Sequence, residues 1–220
     1  MWYRKYLYDQ RKIKTWQVFI LIILLNGLLL AVMRHNVRVD LIAGGLPEMQ
    51  QKILSPDTSA DLIDSIYLYS LIFLPAVLAV KYVFLSLLLQ MVYVVRFKNL
   101  AFGKSLRIIL IASVSQVLAG FARVLYPIRL VQNPHDSIHE QIPFGIAAFF
   151  DQEIMSAGLF FVINQINVFE ATWCLIIYSG LSYWGVEEKF KIKQVVILFW
   201  MGIVLFQVIY LLIFRDFAGL

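Results

Sequence analysis

Charge is scarce in this chain. Only 15% of its 220 residues are charged, against 61% that are hydrophobic, whereas a soluble domain averages about 25% charged and about 45–50% apolar. The shortage excludes an ordinary soluble domain, because the surplus apolar side chains need a solvent that accepts them, and lipid is that solvent. Cysteine is scarcer still. Cys174 stands alone, so no disulfide forms within the chain, and its place inside an apolar run reads as a small membrane-buried hydrophobe. Catalytic signatures are missing as well. There is no Gly-x-x-x-x-Gly-Lys phosphate loop, no His-Glu-x-x-His, no Gly-x-Ser-x-Gly and no intramembrane aspartate pair. The net charge of +5 does not point to nucleic acid, because the basic residues sit in short clusters beside apolar runs, as membrane orientation requires.

What the chain has in abundance is apolar runs. Thr15–Met33 follows a basic stretch with Arg4, Lys5, Arg11, Lys12 and Lys14. It is long for a signal peptide and no small-x-small cleavage site follows, so it reads as a signal anchor and first transmembrane helix. Residues 34–65 are polar, with breakers at Gly44-Gly45, Pro47 and Pro56, and read as an outer loop. Leu46–Leu54 suits a short surface helix, and Asp57-Thr58-Ser59 supplies cap residues for the next one. Ile66–Val95 exceeds the roughly 20 residues of one straight span and predicts a tilted or Pro75-kinked helix crossing from about Leu74 to Val95. Further spans are expected at Leu106–Ala122, Val168–Val186 and Gln194–Phe214. The fold class is therefore an all-α polytopic membrane protein, with about five transmembrane helices plus amphipathic helices on its outer face. Residues 66–220 form the main bundle of four spans behind the basic N-terminus 1–14, the first span and the loop.

The segment 143–166 is apolar but carries Asp151 and Glu153 at its centre. Two carboxylates at mid-bilayer would cost about 2.5–3.5 kcal/mol each, so an interfacial or re-entrant segment is expected. Orientation follows from arginine and lysine. With the N-terminus cytoplasmic and five crossings, inner segments hold twelve basic residues and outer ones six, a positive-inside pattern. This predicts a multi-pass plasma-membrane protein with its N-terminus cytoplasmic and its C-terminus outside.

Few residues in the spans invite chemistry. Lys81 is the one charge inside the second span, and an ionisable residue there calls for a partner. Glu170, at the start of the fourth span, is the candidate; snorkelling of the amine to the headgroups is the plainer alternative. Asn26, Gln90, Gln116 and Gln207 suit interhelical hydrogen bonds. Asn26 with Gly27 and Ala31 gives the first helix a small-residue docking face. Trp2, Tyr3, Tyr6, Tyr8 and Trp16 read as an interfacial belt, and Trp173, Trp184 and Trp200 as lying near span ends. His135 and His139 share one helical face beside Asp136 and Glu140, but two ligands do not make a metal site.

The fourth and fifth spans read Ile166-Asn167-Val168-Phe169-Glu170-Ala171-Thr172-Trp173, then Ser179-Gly180-Leu181, a basic turn and a final apolar helix. Upstream, Asn99 to Arg107 carries a Gly103-Lys104 turn. This pattern is similar to the YIP-domain family, the Ypt/Rab-interacting-protein-like membrane proteins, over residues 66–214. The resemblance implies five helices, no cofactor and binding to other membrane proteins. The eukaryotic branch carries partner motifs in a long cytosolic N-terminal region; only fourteen residues precede the first span here, which directs the resemblance to the bacterial branch. Some members of that branch accompany ABC exporters.

Two function classes follow. The first is a non-catalytic membrane subunit or adaptor of a larger complex, a transport accessory whose partners are integral membrane proteins such as an ABC-type exporter, together with lipid. The second is a transporter or channel with its own pathway lined by Lys81 and Glu170. A lipid-modifying enzyme would have to draw on Asp151, Glu153, His135 and His139. The first two classes separate on whether the polar residues of the spans converge on a cavity or face lipid and partners.

Overall fold

Hydropathy and breakers dictate helices, and a computed structural model shows them. It describes residues 8, 13–36, 56–96, 100–125, 145–146, 157–184 and 189–218. In chain order the helices are α1 (Thr15–Asn36), α2 (Pro56–Arg96), α3 (Phe102–Leu125), α4 (Ala157–Asn164), α5 (Val168–Trp184) and α6 (Lys189–Ala218). No strand forms among the described residues; an isolated antiparallel bridge joins Gly145 and Asn167. Among the described residues, four helices are long and apolar enough to cross a membrane, over Thr15–Arg34, Asp64–Val95, Phe102–Val124 and Lys191–Tyr210. The expected span at 168–186 is the 17-residue helix α5, about 25 Å long at 1.5 Å per residue, short of the roughly 30 Å hydrocarbon core. The membrane class is borne out with four such helices rather than a confirmed five.

The polar stretch 34–65 is not wholly a loop. Its last ten residues are the opening turns of α2, which begins at Pro56 and runs 41 residues. Proline suits a first helical turn because its missing N–H would have no intrahelical partner there, and no further breaker follows until Pro75. Pro75 lies inside the continuous helix; it removes one backbone bond without ending the run. The short helix expected at Leu46–Leu54 lies outside the described residues, as do Asp151 and Glu153. Within 143–166, α4 has eight residues, about 12 Å, too short to cross by itself. Its sequence AGLFFVIN is apolar on every side except at Asn164, so it is not amphipathic.

The bundle is organised around α3, which packs against α1, α2 and α5. Half of its apolar window is buried, against 6% for α1, so α1 is peripheral and α3 central. Small side chains permit the approach: Gly120 of α3 faces the Leu29 side chain of α1. Several buried hydroxyls bond to backbone carbonyls, although those of Ser179 and Ser182 find no hydrogen-bond partner among the described residues. Ser105 donates to the Ser86 carbonyl across to α2 (2.7 Å), while Ser86 and Ser113 bond back to Tyr82 and Ile109 within their own helices.

Three residues take roles that the sequence did not suggest. Tyr8, expected in an interfacial belt, is only 1% exposed. Its hydroxyl donates to the Ile176 carbonyl at 2.7 Å, and its ring stacks on Tyr183 and meets Trp184 edge-on. Trp173 is likewise inside, stacked on Phe199 with ring centroids 5.5 Å apart, and not at an interface. Arg107, counted above among the inner basic residues, is fully buried and donates from its guanidinium to the Ile13 carbonyl. It ties the start of α3 to the start of α1, while Lys14, Lys191 and Lys193 remain exposed. Trp16, 56% exposed, keeps a belt position.

Candidate intramembrane binding cavity

The site is built from helix starts and lengths. Asn167 caps α5: its Oδ1 accepts the Glu170 backbone N–H at 2.9 Å, and its amide donates to the Asn164 carbonyl at 3.0 Å. An Asn cap with a Glu three residues on is an N-terminal signature that also favours the carboxylate beside the helix's positive end. Glu170 is thereby fixed fourteen residues before Trp184, about 21 Å up α5 from its far end. Gln116 lies fourteen residues into α3 and Lys81 fourteen residues before Val95 on α2, the same distance from the turn that joins them. The three polar groups therefore meet at one level. Lys81 Nζ sits 3.5 Å from Gln116 Oε1, and the Gln116 side chain also hydrogen-bonds Glu170.

Above this level lies a second tier. Arg123 ends α3 with Gln165 nearby, and Gln207 and Tyr210 come from the last part of α6. All line a cavity of about 660 Å³ together with Lys81, Gln116 and Glu170; Ala119, Gly120 and Phe206 complete the wall. Glu170 lies within electrostatic reach of both Lys81 and Arg123. Among the described residues, however, no direct ion pair joins these three charges. The charges face a shared volume rather than one another. Below the cavity the bundle is closed by the buried run Ile108–Ser113 and by Trp173, Ile177 and Phe199, so this is a one-sided vestibule. Its floor at Gln116 lies about 21 Å along α3 from the basic end of the bundle.

Of the residues singled out in the sequence, Lys81, Glu170, Gln116 and Gln207 come together here. Gln90 does not; its amide donates to the Leu100 carbonyl at 2.8 Å, bracing the turn between α2 and α3. On the first helix, Asn26 donates to the Ile22 carbonyl of its own helix at 2.8 Å, and Gly27 faces Leu71 of α2. Ala31 is half-buried. His135, His139, Asp136 and Glu140 lie outside the described residues, and among the described residues no cluster of three metal-ligating side chains forms. Arg123 and Gln165 were not recognised as site residues. Arg123 was counted as a loop charge just beyond the third span, and only the last turn of α3 carries it into the cavity.

Fold and cavity together define a helical membrane protein with ionisable groups gathered around one cavity between its helices. No family model, curated protein or solved structure matches the chain, so the resemblance to YIP-domain proteins gains no support from relatives.

Proposed function

We propose that the protein is a membrane-embedded binding protein of the transport class, which takes up a small charged group in the cavity between α2, α3, α5 and α6. The observation that carries this reading is convergence: Lys81, Gln116, Glu170 and Gln207, from four different helices, line one volume. Polar groups placed only to hold helices together would pair off and leave no space, and charges inside a membrane mark pathways when they face a cavity. The subunit reading has no comparable gathering, since Asn26 bonds within its own helix and Gly27 packs on Leu71. We also propose that α5 is the fifth span, completed by the residues at its ends, and that the basic end of the bundle is cytoplasmic.

Adjacent positions on α3 test the cavity. Leu118 is exposed on the outside of the bundle, whereas Ala119 lines the cavity. In a Cys174→Ala background, Ala119→Cys and Gln207→Cys should react with a charged, membrane-impermeant thiol reagent, while Leu118→Cys, facing lipid, should be protected. Silence at both Ala119 and Gln207 from either side of the membrane would refute the cavity reading and return the adaptor reading to first place.

Orientation has its own test. Cysteines at Ser59 and Ser137 should be labelled in intact cells and one at Gly103 should not. Gly103 is the proper probe of the basic end, because Ser105 is fully buried and would resist labelling on either side. Labelling at Gly103 alone would invert the topology.

A further inference from the structure

Resting on the reading of the cavity as a binding site, we infer that its ligand presents an oxyanion of single net negative charge, seated between Arg123 and Lys81. The charge balance points there. Two cations and one carboxylate line the space, so with all three ionised the empty site carries one uncompensated positive unit. A charge out of water is strongly disfavoured unless paired, and Glu170, within electrostatic reach of both cations yet in direct contact with neither, leaves the balance unfilled. Arginine offers paired donors to phosphate or carboxylate oxygens, and lysine a compact point charge. The amides of Gln116, Gln165 and Gln207 add donors around the same volume. About 660 Å³ falls within the roughly 300–1,000 Å³ of ordinary ligand sites, larger than a bare anion needs.

The wall decides between sources of such a group. Phe206 and Tyr210 form the α6 side of the cavity, and both are exposed, continuous with exposed Leu205 and Ile209 on the same helix. A polar pocket that borders an apolar, lipid-facing surface suits an amphiphile whose head enters the cavity while its tail stays along α6. A phosphodiester lipid head group meets both demands; a soluble phosphate meets only the first.

The test uses the full chain, purified and stripped of lipid in mild detergent, with bound ligand read by native mass spectrometry. Phosphatidylglycerol should bind at least about tenfold more tightly than phosphatidylcholine. Arg123→Gln should lower that affinity about tenfold, and Arg123→Lys should retain most of it. Glu170→Gln carries the sharpest sign: it removes the competing carboxylate and should tighten phosphatidylglycerol several-fold, whereas loss of a merely structural residue would weaken it. Equal binding of the two lipids, or weaker binding in Glu170→Gln, would overturn the inference. Inorganic phosphate that displaces the lipid at comparable concentration would uphold the oxyanion and assign it to a soluble source. Loss of anion preference with Ala119→Cys still reactive would sink this inference alone; unreactive cavity positions would remove the binding site itself.

Discussion

A chain carrying Gly180→Leu is expected to leave detergent extraction largely as aggregate, its monodisperse fraction falling at least about tenfold, while Gly202→Leu elutes like the parent. Both glycines lie in apolar helices and both substitutions raise hydrophobicity, so composition alone would rank them together. Packing separates them. A methyl group on Gly180 would lie 2.8 Å from Cγ1 of Ile108 and 3.0 Å from Cε1 of Tyr8, whereas one on Gly202 would meet nothing within 4 Å. Ile108 belongs to the central helix and is fully buried, so it has nowhere to retreat. Tyr8 would have to leave, surrendering its bond to Ile176 and its stacking on Tyr183 and Trp184. Overpacking costs about 1–3 kcal/mol, and expelling a buried aromatic adds a loss on the scale of about 3–5 kcal/mol. Together these rival the whole stability of an ordinary domain, about 5–15 kcal/mol. Size-exclusion profiles of the two variants decide the matter. Indistinguishable profiles would mean that the N-terminal tyrosine does not brace α5 against α3.

That contact illustrates what the sequence could and could not reveal. Long apolar runs made the four long helices legible, because hydropathy is a property of the segment itself. The cap at Asn167 is local chemistry too, Asn followed by Glu three residues on, yet in the sequence these residues stood out only as part of a family-like motif. Tyr8 was misassigned because aromatic residues flanking a span ordinarily form a belt, and its partners Gly180 and Ile176 lie more than 160 positions away. Arg107 was misread similarly. An arginine beside Lys104 resembles one more topology signal, and only the crossing of α1 over α3 places the Ile13 carbonyl where the guanidinium needs it.

The cavity was half legible. Lys81 and Glu170 stand out because each interrupts or begins an apolar run, and their pairing was geometrically foreseeable. Arg123 and Gln165 were not, since a residue in the last turn of a helix and one in a connecting turn share no sequence signal, and Gln116 and Gln207 stood out only as polar residues of spans. Equal distances from the joining turns bring Lys81, Gln116 and Glu170 to one level, and that became usable only once the helix ends were known.

Charge reversal at the floor of the cavity should have the largest effect on binding. Lys81→Glu changes the summed charge of the three ionised side chains from one positive unit to one negative, and affinity for phosphatidylglycerol should fall by at least about 30-fold. At an effective dielectric of about 20 and a separation of about 7–8 Å, each unit charge contributes roughly 2 kcal/mol. A change of two units, even discounted by half for screening, is about 2 kcal/mol and therefore spans about one and a half orders of magnitude. The double variant Lys81→Glu with Glu170→Lys restores the sum while exchanging the positions. Gln116 lies between the two groups and reaches both, and its side-chain amide can present oxygen to one and N–H to the other in either orientation. Recovery to within about tenfold of the parent is thus expected in the double variant, read by the same lipid titration at matched ionic strength. If the single variant is inactive and the double variant equally so while eluting as a folded species, the position of Lys81 rather than the charge of the site governs binding. An unchanged affinity in the single variant would show that the anion does not reach the floor of the cavity, leaving Arg123 at its rim as the only cation in contact.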